Sequence, residues 1–213
     1  FNRELPPVTS RKLLVFLVSM LIAPMQVSAQ TFTDVPPTYF AYSFIETFAA
    51  SGITSGCTPE TYCPEDPVSR AQMAVFIERG INGGSYSPPP ATGTVFLDVA
   101  ADSFAAAYIE QFFLDGITGG CGGGNYCPGR SVTRAEMAVF ILRAMFGPDY
   151  QPPSATGELF ADVAAGDFAA AFIEQFAAEG ITGGCGGGNY CPTTTVKRDQ
   201  MAAFLARAFL GME

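Results

Sequence analysis

Apolar residues recur at helical spacing in paired stretches along the chain, and the middle pair gives the clearest pattern. Between Ser103 and Asp115, the residues Phe104, Tyr108, Ile109, Phe112 and Phe113 fall on one broad face, which predicts an amphipathic helix. Gly116 stands where a helix commonly stops, and Ile117 returns the chain to the core. After a loop rich in glycine (119–128), Met137, Val139, Phe140, Ile141 and Met145 form a second apolar series. Its start is marked by Thr133-Arg134-Ala135-Glu136, a capping box in which the Thr hydroxyl and the Glu carboxylate each satisfy one of the other residue's backbone amides.

The same pattern occurs three times. Phe32-Thr33-Asp34-Val35, Phe96-Leu97-Asp98-Val99 and Phe160-Ala161-Asp162-Val163 each open a block, and Cys57, Cys121 and Cys185 repeat at an offset of 64 residues. Arg70, Arg134 and Arg198 keep the same spacing. A fixed period of this kind denotes one supersecondary unit copied in tandem. Ser69 and Gln72 form the first capping box. The third copy has Lys197 at the cap position with Gln200 three residues later, which predicts the weakest helix start. The expected organisation is a leader (1–29), repeat 1 (30–83), a Pro-rich linker (84–94), repeat 2 (95–147), a second linker (148–158) and repeat 3 (159–213). The predicted fold is mainly α, with three helix-loop-helix units packed together because two helices alone bury too little.

Residues 1–29 have a basic start (Arg3, Arg11, Lys12), a short apolar core and a Val27-Ser28-Ala29 cleavage site, which predicts a secretory signal peptide removed after Ala29. The rival, a membrane-spanning helix, needs a longer apolar run than Pro24 allows. Without that segment, eight Lys+Arg face 19 Asp+Glu, a net charge of about −11. Such a balance disfavours nucleic acid and anionic membranes as partners. Export also suits the six cysteines, which form three C-x5-C pairs: Cys57/Cys63, Cys121/Cys127 and Cys185/Cys191. Identical repeats favour local disulfides over a zinc site, which without any histidine would have to be shared between repeats.

The order F-x-D-V, helix, G-I-T-x-G, a turn ending in Cys-Pro, then S/T-R-A-E/Q and an apolar helix resembles the S-layer homology (SLH) domain, from about Phe32 to Leu210. The resemblance implies a compact pseudo-threefold assembly and non-covalent attachment of exported proteins to the cell envelope through acidic wall polysaccharide. It further implies that Arg70, Arg134 and Arg198 lie in inter-repeat grooves and grip the sugar, with Ser69, Gln72, Thr133, Glu136 and Gln200 at flanking motif positions. A guanidinium suits a carboxylate bidentately, and a helix N-terminus would add amide donors. The alternative is that these arginines only pair with a neighbouring acid. The chain departs from the family pattern in its C-x5-C loops and in Phe40, Phe104 and Phe168, which stand where the family often has Trp. Only three residues follow Leu210, which leaves either a piece of a longer protein or repeats that act by themselves.

Asp34, Asp98 and Asp162 lack the dense oxygen ligands of a calcium site, so they are read as helix caps or as fixing the turn before the first helix. Catalysis is disfavoured: the chain has no histidine, and its recurrent acids, such as Glu110 and Glu174, are read as solvated. No cofactor is expected. The leading function is an envelope anchor binding wall polysaccharide or peptidoglycan at the cell surface. The alternative is a structural subunit that assembles with copies of itself into a surface layer or filament.

Overall fold

The computed structural model describes residues 30–213, so the expected signal peptide lies outside the described residues. Six helices follow in pairs: α1 (Tyr42–Ala50) and α2 (Arg70–Asn82), α3 (Ala106–Leu114) and α4 (Arg134–Phe146), α5 (Ala170–Ala178) and α6 (Arg198–Phe209). The repeats interlock. The first helix of each repeat packs on the second helix of the repeat before it: α3 on α2, α5 on α4, and α1 on α6, which closes the circle. Within each repeat an aromatic pair (Phe48–Phe76, Phe112–Phe140, Phe176–Phe204) joins the two helices at centroid distances of 5.4, 5.5 and 5.2 Å. A single core of buried side chains runs through all three repeats.

At the centre, three valines hold one another in a backbone ring. The Val68 amide donates to the Val196 carbonyl (2.9 Å), Val196 to Val132 (3.0 Å) and Val132 to Val68 (3.0 Å). All three are fully buried, so each backbone group taken from water is repaid by a bond to a neighbouring repeat.

Three sequence expectations change here. First, Phe104 and Phe113 do not join the buried face: they remain 70% and 42% exposed, while Ile109 and Phe112 are buried. Ala105 adopts a left-handed conformation (φ 61°), so α3 starts only at Ala106 and Phe104 precedes it. Second, Asp34, Asp98 and Asp162 do not cap the first helix. Asp98 accepts from the amides of Tyr126 (2.7 Å) and Cys127 (2.8 Å), and Asp34 and Asp162 do the same for Tyr62/Cys63 and Tyr190/Cys191. They clamp the far end of the cysteine loop, where Cys63, Cys127 and Cys191 sit at positive φ.

Third, Glu110 and Glu174 are not free on a solvated face: the first is buried, the second half-buried, and both are bonded. Glu110 is buried and accepts from the amides of Thr92 and Gly93, both at 2.7 Å; Glu174 holds Thr156 and Gly157 in the same way. Each pins the end of a Pro-rich linker to the first helix of the next repeat. Burial opposes ionisation of Glu110, but the amides of Thr92 and Gly93 and the Thr92 hydroxyl prevail and hold its carboxyl below the ordinary range. Glu110→Ala leaves those amides without an acceptor and is expected to cost about 2 kcal/mol. Urea denaturation should register this loss, and limited proteolysis should show faster cleavage within residues 88–93.

All six cysteines pair locally as predicted: Cys57–Cys63, Cys121–Cys127 and Cys185–Cys191.

Candidate binding grooves

Each seam between repeats is built from an arginine and a tyrosine that exchange bonds. Arg70 Nε donates to the Tyr126 carbonyl (2.8 Å), and the Tyr126 hydroxyl returns a bond to the Arg70 carbonyl (2.8 Å). Arg134 and Tyr190 repeat this at 2.7 and 2.8 Å, and Arg198 and Tyr62 close the ring at 2.7 Å each way. Each guanidinium also lies over its partner's ring, 4.6 to 4.8 Å from the centroid. The three arginines are only 1–3% exposed. Burial weakens each guanidinium's hold on its proton, with the facing tyrosine opposing, and burial raises the pKa of each tyrosine hydroxyl. These arginines therefore tie repeats together before anything else.

The flanking motif residues are likewise engaged in the fold. Ser69 and Gln72 form a complete capping box, as do Thr133 and Glu136. In the third copy Lys197 offers no side-chain acceptor, and only Gln200 reaches back, to the Lys197 amide at 3.4 Å. The expectation that a helix N-terminus offers free amides fails: the amides of Arg134 and Ala135 donate to the carbonyls of Thr194 and Pro192, and those of α2 and α6 are taken in the same way. Glu136 is ion-paired with Arg130, and Arg70 Nη1 approaches it at 3.6 Å.

The seams differ in what remains free. Arg70 Nη2 donates to the Gly120 carbonyl (3.3 Å) and Arg134 Nη2 to the Thr182 hydroxyl (3.4 Å). Arg198 Nη2 is buried without a partner among the described residues. Arg198 lines a cavity of about 280 Å3 between repeats 1 and 2, together with Thr54, Ser55, Gln72, Arg79 and the exposed Phe104. The structure thus brings Gln72 and Arg198 to one cavity. A second, open cavity of about 650 Å3 lies between repeats 2 and 3, where Thr133 meets Asp162, Asp167, Phe168 and Thr194.

The surface between repeats 3 and 1 is occupied by the protein itself. The Tyr39 hydroxyl lies 2.7 Å from Asp199 Oδ2 and 2.9 Å from Glu65 Oε1, and Lys197 is ion-paired with Glu65. Asp199 replaces the alanine of the other two copies. It is buried, which raises its pKa against the Tyr39 bond. The Tyr39–Asp199–Glu65–Lys197 cluster and Phe104 were not singled out as site residues from sequence. The break in the repeat at Asp199 was the available signal.

A family model described as the S-layer homology domain matches residues 31–74. The first repeat is an S-layer homology domain. Repeats 2 and 3 carry the same residues at the same offset and the same Arg–Tyr, Asp–amide and disulfide bonds, so they repeat the architecture of the first. The chain is also similar to S-layer protein EA1 of Bacillus anthracis (26% identical, covering 89% of this chain and 21% of that protein). It resembles the cellulosome-anchoring protein of Acetivibrio thermocellus (26%; 68% and 32%) and an endoglucanase of Bacillus sp. strain KSM-635 (29%; 62% and 14%). It therefore spans no more than about a third of the length of these relatives.

Proposed function

We propose that this chain is an exported cell-surface anchoring module that holds wall glycan non-covalently, and that the groove between repeats 1 and 2 is its principal seat. The observation that carries the reading is the uncommitted Nη2 of Arg198 on the wall of a cavity that Arg79 also lines. Two cationic forks, the hydroxyls of Thr54 and Ser55 and the apolar face of Phe104 suit an acidic sugar: carboxylate on guanidinium, ring on aromatic. Arg70 and Arg134, the copies of Arg198, spend their Nη2 donors on the protein. A chain of net charge −9 attracts no polyanion at long range, so capture depends on this local pair.

The relatives named as surface-layer and cellulosome-anchoring proteins agree with envelope attachment. The endoglucanase matches over too little of its length to suggest an enzyme here, and the proposed role is binding without catalysis. No helix among the described residues is long and apolar enough to cross a membrane.

The test is co-sedimentation of the chain with purified cell walls, before and after extraction of their acidic secondary polysaccharide. Phe104→Ala, at an exposed position, is expected to lower retention by about tenfold with the melting temperature little changed, and Arg79→Gln to lower it as far with some loss of stability, because Arg79 also bonds Tyr108 and Ile53. Retention unchanged in both variants would overturn the groove assignment. Retention unchanged by extraction would turn the reading toward peptidoglycan.

A further inference from the structure

Glu78 breaks the threefold pattern in a way that neither folding nor glycan binding uses. The equivalent positions in α4 and α6 are Leu142 and Ala206, both buried. Glu78 is just as buried, with 0% exposure, in the face of α2 that meets repeat 2. Its Oε2 accepts a long bond from Asn82 Nδ2 (3.3 Å), and its Oε1 has no donor among the described residues. Across the seam it faces another acid, Asp115, just past the end of α3. Asp115 Oδ1 already accepts from Gln111 Nε2 at 2.8 Å.

Two carboxylates cannot satisfy one another, and an isolated buried charge is costly. One proton on Glu78 resolves both problems, because it neutralises that carboxyl and gives it a donor to direct at Asp115. We infer that Glu78 carries a proton, directed at Asp115, in the seam between repeats 1 and 2, making this seam, unlike the other two, sensitive to alkaline surroundings.

The surroundings supply no counter-charge. From repeat 2 Asp115 faces Glu78, with Tyr126 farther off, and Tyr86 approaches from the linker. No charged group of α4 or α6, the other helices against α2, acts on it. Arg79, its neighbour in α2, is turned to the Tyr108 hydroxyl (3.2 Å) and the Ile53 carbonyl (3.4 Å). Burial first, and Asp115 second, push the Glu78 carboxyl up to about 8 from an ordinary value of 4.5.

The sign of the pH dependence follows. Between about pH 4.5 and 8 the folded chain keeps a proton that the unfolded chain has released, so stability falls as pH rises through this range and levels beyond it. Glu78→Gln is neutral at every pH and can donate its amide to Asp115. Urea denaturation of the disulfide-intact protein is expected to show E78Q gaining on the wild type from about pH 5 to about pH 8. The ratio of their unfolding constants should change by at least about tenfold over that span. Taking the two proteins' difference cancels Asp199, whose raised titration is common to both.

An infrared difference spectrum of wild type minus E78Q should contain a protonated-carboxyl band at pH 7 that is lost by about pH 9. In Asp115→Asn that loss should move toward acid. Parallel stability profiles, or the absence of the band at pH 7, would overturn the inference. Neither readout involves glycan, so the result is independent of the proposed function.

Discussion

Arg134→Ala is expected to destabilise the chain by about 4 kcal/mol, among the largest losses any single substitution here should cause. The residue is nearly fully buried, donates from Nε to the Tyr190 carbonyl at 2.7 Å, and lies over the rings of Tyr190 (4.8 Å) and Phe204 (5.4 Å). Alanine removes a charge-assisted bond worth about 1.5–3 kcal/mol and a desolvated cation–π contact worth about 2 kcal/mol. It also leaves the Tyr190 carbonyl buried without its donor. Arg134→Lys should recover only part of the loss, because an ammonium cannot bond along its edge and stack with its face. Urea denaturation at neutral pH checks both variants. A loss below about 1 kcal/mol for alanine would mean that the arginine is held by the fold rather than holding it.

Reducing the three disulfides should cost still more in total. Each closes a short ring with a sequence separation of 6, for which loop entropy gives about 2 kcal/mol, so the three together contribute about 6 kcal/mol. That is comparable with the whole stability of many domains. The effect should propagate. Cys63, Cys127 and Cys191 directly follow Tyr62, Tyr126 and Tyr190, the tyrosines that receive the seam arginines, so a loosened loop withdraws the acceptor from the neighbouring repeat. Denaturation midpoints compared with and without reductant should differ widely. Coincident midpoints would show that the Asp34, Asp98 and Asp162 clamps suffice without the covalent link.

Features contained within a few residues could be read directly from the sequence. The capping boxes at 69–72 and 133–136 declare themselves because donor and acceptor lie three residues apart, and the cysteine pairs were legible because the repeat selects the local partner. The arginines were harder. A guanidinium beside a helix start can turn to a ligand or to its neighbour, and the deciding tyrosine lies 56 residues away, or 136 for Arg198. Asp98 and Glu110 misled for the same reason, since their amide partners sit 17 to 29 residues distant in loops without periodicity. Phe104 was assigned to a helix that a left-handed Ala105 delays. The most telling residues, Glu78 and Asp199, were visible only as departures from their own copies.

The valine ring sets how many units the molecule can have. In an open stack of repeats the ends remain free, so a unit can be gained or lost by simple duplication or deletion. Here Val68, Val132 and Val196 each give one bond and take one, and no strand of the ring is left over. A two-unit version would leave a buried donor and acceptor unmatched, and a fourth unit would find no vacancy. The ring therefore fixes the copy number, but it is indifferent to which unit comes first along the chain. Circular permutation is the rearrangement such an architecture permits, whereas duplication of a single repeat is not.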